Sequence, residues 1–115
     1  MKYMLMLLVI ILCGNAYAQN PCGTDDLCVV QFNAGFNEAN KVPWVDQLKD
    51  CDTKFIDIAV ETTASGTYKI VVVPTIVIFK GEDEVGRFQA NIMMQMEATK
   101  KDVQGKIDEI IMEDF

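Results

Sequence analysis

The 115-residue chain contains no histidine. That absence removes the commonest general base and the commonest zinc ligand. Neither a Ser-His-Asp nor a Cys-His mechanism can be assembled within it. Basic residues are scarce too: 10 Lys and Arg stand against 17 Asp and Glu, for a formal net charge of −7. The basic residues form no cluster. An acidic chain of this kind repels phosphate backbones, so nucleic acid and anionic membrane surfaces are not expected partners. Solubility is the plain consequence of the charge. No internal repeat, linker or low-complexity tract interrupts the sequence.

Apolar residues make up 50% of the chain, enough to build one domain core. Part of that fraction lies at the N-terminus. Residues 1–18 read as a secretory signal. Lys2 supplies the positive start, Met4 to Leu12 is an unbroken apolar stretch, and Ala16-Tyr17-Ala18 is a small-x-small cleavage site. The stretch falls short of the roughly 20 apolar residues that span a bilayer. An uncleaved anchor is the competing reading, and lipid attachment at Cys13 is opposed by bulky Leu12. The expected location is therefore exported, periplasmic or secreted, with no membrane attachment after cleavage.

Residues 19–26 are polar, hold Pro21 and Gly23, and read as a leader. The segment 27–115 forms the expected domain. Leu27–Phe32 is a short apolar run consistent with a buried strand. Asn33–Asn40 reads as a loop. Lys41–Asp50 reads as a helix, with Val42, Val45 and Leu48 at three-residue spacing, Trp44 beside them, and Pro43 near its start. Phe55–Val60 is a second strand and Glu61–Lys69 a short helix or turn. Ile76–Phe79 is a third strand. Lys80-Gly81-Glu82-Asp83 signals a hairpin into a fourth strand, Glu84–Gln89. Thr99 is placed to cap a last helix, with Asp102 answering it and Val103, Ile107, Ile110 and Ile111 as its apolar stripe. The order predicts an α/β fold: a central four-stranded mixed sheet with helices on both faces.

Three stretches carry a family likeness. Val-Val-Gln-Phe-Asn-Ala (29–34), Val-Pro-Thr-Ile-Val-Ile-Phe-Lys-Gly (73–81) and Glu-Val-Gly-Arg-Phe (84–88) stand in this order and spacing. Together they resemble the thioredoxin superfamily across residues 27–115. The resemblance implies a thioredoxin-like three-layer α/β/α fold and a cis peptide bond at Val73–Pro74. It also implies a peptide-binding surface at Val73, Pro74 and Thr75, to which Phe36 and Trp44 would add apolar contact.

The departures from the family pattern bear on chemistry. The alignment places Asn37 and Asn40 where the two redox cysteines would stand, with Glu38 and Ala39 between them. Phe36 replaces the preceding tryptophan, and Gln31 falls where many thioredoxins keep a buried aspartate. Lys41 matches a lysine common just after the motif. The cysteines stand at 13, 22, 28 and 51, so no Cys-x-x-C exists anywhere in the chain. Thiol–disulfide exchange needs a thiolate, and an asparagine amide is neither nucleophile nor leaving group. The degenerate loop Phe36-Asn37-Glu38-Ala39-Asn40 is therefore expected to be non-catalytic. Asn37 or Asn40 is expected to serve as a helix N-cap.

Cys22, Cys28 and Cys51 follow the expected cleavage site. Extracytoplasmic cysteines usually pair. Cys28 lies in the first strand and is expected to be buried and inert. Cys22 and Cys51 each precede one of two neighbouring strands, so a Cys22–Cys51 disulfide is expected. A redox pair, Cys22–Cys28 or Cys28–Cys51, is the alternative. Met93, Met94 and Met96 are donors of the type that binds Cu(I), yet methionine more often fills core gaps. No catalytic residue, metal or cofactor is assigned. The leading functional expectation is a non-catalytic module that binds a protein or peptide client. The alternative is a thiol-disulfide oxidoreductase or redox-homeostasis protein using non-standard cysteines. The third reading is a structural homodimer, joined through an edge strand or the methionine segment.

Overall fold

A computed structural model describes residues 20–113. The segment expected to be a signal lies outside the described residues. Four strands form one sheet: β1 (Leu27–Asn33), β2 (Asp52–Asp57), β3 (Thr75–Lys80) and β4 (Asp83–Gln89). Their order is β2-β1-β3-β4. β1 and β2 are parallel, while β1 with β3 and β3 with β4 are antiparallel. The mixed α/β fold expected from the sequence is the fold observed.

β1 is buried along its whole length because it is central and covered on both sides. Its side chains alternate between two cores, as the period of a strand requires. Leu27 and Val29 join Ile76 and Ile78 on one face. Cys28, Val30 and Phe32 join Val77 and Phe79 on the other. The first face is covered by α2 (Lys100–Glu113), whose Val103, Ile107 and Ile110 are buried there. The second is covered by the single turn α1 (Ala64–Thr67) and the chain after it, with Tyr68 packed between the rings of Phe32 and Phe79.

The start of α2 follows the sequence pattern. Thr99 N donates to Asp102 Oδ2 at 2.8 Å and Asp102 N donates to Thr99 Oγ1 at 3.2 Å. These reciprocal bonds satisfy two amides that the helix cannot pair internally. The hairpin between β3 and β4 is also as read, with Gly81 at φ +60 making the turn.

The helix expected over 41–50 does not form. One short 3-10 segment, Val45–Gln47, is all that lies within it, and another, Gly35–Asn40, forms in the stretch read as a loop. The cause is Gln31. Its buried amide donates to Val42 O at 3.0 Å and accepts from Val42 N at 2.8 Å. Val42 is thereby held as a strand-like partner, and Pro43 disfavours a helical conformation for the residue before it. Val42, Val45 and Leu48 still bury against the α2 face, so the apolar spacing served packing without a helix. The second strand also starts earlier than read, at Asp52. It ends at Asp57, where Oδ1 accepts from Ala59 N at 2.9 Å and turns the chain.

Candidate functional site

Three loops meet at one end of the sheet: the degenerate segment after β1, the Val73–Pro74 loop before β3, and the turn after β4. The Val73–Pro74 bond is cis. Pro74 is fully buried and its carbonyl accepts from Ala90 N. Thr75 is buried too, with Oγ1 donating to Val72 O at 2.7 Å. Pro74 and Thr75 therefore shape the loop from within, and Val73 is the residue of that trio whose side of the loop faces an open cavity.

Asn37 ties the three loops together. Its Nδ2 lies 3.2 Å from Asn33 Oδ1, 3.3 Å from Val73 O and 3.1 Å from Met94 O. Two N–H hydrogens serve three acceptors, so at least one bond is shared. Asn33 Nδ2 donates in return to Asn37 O at 3.2 Å, and Asn40 Nδ2 donates to Asn37 Oδ1 at 2.9 Å. Asn37 and Asn33 are buried, and burial of these two amide side chains is tolerable because they bond to each other, to half-buried Asn40 and to nearby carbonyls. This corrects the capping expectation. Asn37 sits inside the first 3-10 segment, whose N-cap is Ala34, without a side-chain cap bond.

The remaining loop residues divide by exposure. Glu38 and Ala39 point to solvent, and Asn40 is half-buried. Phe36 is 75% exposed. It lines a cavity of about 230 Å3 with Ile58, Ile70, Val71, Val73 and Met94. Val71 is 78% exposed and Met94 is 38% exposed. Met94 takes φ +59, which a turn built on Asn91 imposes: Asn91 Oδ1 accepts from Met93 N and Gln95 N. Phe36 and Val73 are thus brought together as the resemblance implies, but Trp44 is not among them. It packs against the α2-face core beside Met96 and faces a different hollow. Lys41 also lies elsewhere, with Nζ 4.3 Å from the Phe55 ring centroid. The role of Met94 was hidden in the sequence, where the methionines read as one cluster. Met96 instead packs into the core, apart from Met94.

The cysteines correct a second expectation. Cys22 is bonded to Cys28, with their Cα atoms 5.9 Å apart, and Cys51 is free. The expected Cys22–Cys51 disulfide fails because of strand parity. Cys22 packs with the core that contains Cys28, on the α1 face. Cys51 packs with the core on the α2 face. The sheet stands between them. Cys28 is buried as read, yet it is half of a disulfide rather than an inert thiol. Burial, then the carboxylates of Asp52 and Asp50, push the Cys51 thiol up from its usual 9.0 to about 11. Such a thiol is a poor nucleophile at neutral pH. Cys28 pairs with Phe79 whereas Phe32 pairs with Thr75, so the disulfide lies at the opposite end of the sheet from Pro74.

No family profile matches the chain, and no curated protein sequence matches it either. Solved structures do. A mutant thioredoxin from Halobacterium salinarum is 18% identical with a TM-score of 0.60, over 81% of this chain and 87% of that one. Thioredoxin 1 from Thermosipho africanus is 18% identical with a TM-score of 0.57, over 76% and 97%. The thioredoxin of Fasciola hepatica is 24% identical with a TM-score of 0.51, over 78% and 82%. At these identities the likeness speaks to architecture. With its sheet order and its cis-proline loop, this chain has the thioredoxin fold.

Proposed function

We propose that this protein is an exported, redox-silent thioredoxin-fold module that binds an extended peptide or protein client at the Val73–Pro74 end of its sheet. The observation that carries the reading is the Asn37 network. Where the resemblance places the first redox cysteine, an amide holds the backbone of the two loops that border the apolar cavity. The loop thus keeps a shaped surface and has no nucleophile in it. The cavity, at about 230 Å3, is smaller than the roughly 300–1,000 Å3 of a cofactor or drug-sized site. It suits one apolar side chain of a client. Exposed Phe36 and Val71 beside it are large apolar groups of the kind that mark interaction surfaces.

Titration of the purified protein with fluorescent apolar peptides tests the reading. Saturable binding that Phe36→Asp abolishes is the expected result. Equal binding by the Phe36→Asp variant would end it.

A second reading has its own observation, the Cys22–Cys28 disulfide with Cys22 half-exposed. In that case the protein exchanges disulfides at the opposite end of the sheet. Accelerated insulin reduction in dithiothreitol, lost on Cys22→Ser substitution, would favour it over the binding module.

A further inference from the structure

Met94 is the oxidisable side chain of the cavity rim, and Met93 is its exposed neighbour in the chain. Met93 is 67% exposed and Met94 is 38% exposed, whereas Met96 packs against the α2-face core. Met94 lines the cavity directly, together with Phe36 and Val73. Its backbone is fixed by the bond from Asn37 Nδ2 to Met94 O and by the Asn91 turn, so the point from which the side chain springs is held at the rim. A thioether in this position makes apolar contact, and its sulfoxide is a strong dipole.

We infer that Met93 and Met94 form an oxidation site, through which peroxide converts the cavity from an apolar to a polar surface and releases what is bound there. The step is a two-electron oxygen transfer. The methionine sulfur attacks one peroxide oxygen, the O–O bond breaks, an S–O bond forms, and the second oxygen leaves as water. Sulfur is oxidised and peroxide is reduced. The inference rests on the proposed binding reading for its consequence, and on exposure and cavity lining for its chemistry. Met112, on α2, is 72% exposed and does not line the cavity. It supplies an internal control, a methionine that oxidises without consequence for the site.

The experiment compares the purified protein with the Met93→Leu/Met94→Leu variant during a hydrogen peroxide titration. Peptide mapping gives the order of sulfoxidation. Retention on a hydrophobic-interaction column and binding of a fluorescent apolar peptide give the surface. Met93, Met94 and Met112 are expected to oxidise before Met96. The oxidised wild type is expected to be retained less and to bind the peptide about tenfold more weakly, the factor that follows from one unpaired polar group at an apolar contact. The leucine variant, which still carries Met112 and Cys51, should keep its peptide binding and lose less retention than the wild type, because Met112 alone adds polarity and does so away from the cavity. Oxidation of Met96 ahead of Met94 overturns the inference, as does an oxidised wild type that keeps its retention or a variant that loses it equally. Absence of peptide binding before oxidation would instead sink the binding reading, and the oxidation order and column retention would still decide this one.

Discussion

The side-chain amide of Asn37 donates to the backbone carbonyl of Val73, the residue that precedes the cis-proline, across 3.3 Å. One polar side chain therefore couples the loop after β1 to the loop before β3. Without it, each loop would have to find its own partners for buried backbone groups.

Replacement of Asn37 tests that coupling. Asn37→Ala leaves Asn33 Oδ1, Val73 O and Met94 O without their shared donor, and should cost about 2–3 kcal/mol in urea unfolding. Asn37→Asp should be worse at neutral pH, because a carboxylate would face three acceptor oxygens. Its folded pKa would rise above the unfolded value of about 4. A raised pKa means the protonated form is favoured in the fold, so the variant's relative stability is greatest at acid pH. It should fall as pH rises through the folded pKa. Equal deficits at pH 3.5 and pH 7 would refute this.

Gln31 makes a similar but local clamp. Gln31→Leu fits the apolar surroundings yet leaves both Val42 N and Val42 O unpaired. A loss of about 2 kcal/mol is expected, with the half-buried Trp44 reporting loosening of the 42–48 segment by fluorescence. A neutral effect would mean that Pro43 alone holds the segment.

The disulfide closes a short loop, six residues apart in sequence. Chain-entropy reasoning gives about 2 kcal/mol for such a loop, so Cys22→Ser/Cys28→Ser should unfold at lower urea by that amount. Non-reducing peptide mapping should find the Cys22–Cys28 link with Cys51 alkylatable on denaturation. A Cys22–Cys51 link would contradict the structure.

The free thiol should be slow. Cys51 alkylation by iodoacetamide is expected to keep rising with pH until about 11, where an ordinary thiol would level off near 9.0. The sign for stability follows from the same shift. Because the folded pKa is raised, the thiol's contribution is complete below 9.0 and is lost as pH rises through about 11. A rate plateau near pH 9 would show that the burial and the two aspartates have little effect.

Much of the fold was legible because it depends on local signals. The Lys80–Asp83 turn needs a glycine at positive φ, and Gly81 supplies it. The Thr99–Asp102 box satisfies amides within one helical turn. The apolar run 27–32 is long enough for a strand and too short for most helices, and the strand extends one residue beyond it, to Asn33. The site was less legible. Phe36 and Val73 were named from the resemblance and do share a cavity, while Trp44 was named with them and packs elsewhere. Nothing in the order Asn91-Ile92-Met93-Met94 announces that Met94 will reach the same cavity.

The sequence by itself determined the existence of four strands, with the bounds of the second read three residues late, the hairpin, the last helix and the absence of any Cys-x-x-C pair, since each is written in neighbouring residues. Only the tertiary structure decided three things. It paired Cys22 with Cys28, because alternation along the strands sends Cys51 to the other face of the sheet. It turned an expected helix into strand-like and 3-10 segments, because a distant glutamine captured the backbone of Val42. It made Asn37 a tie between loops rather than a cap, because Val73 O and Met94 O, 36 and 57 residues further along the chain, are acceptors that exist beside it only once the sheet has formed.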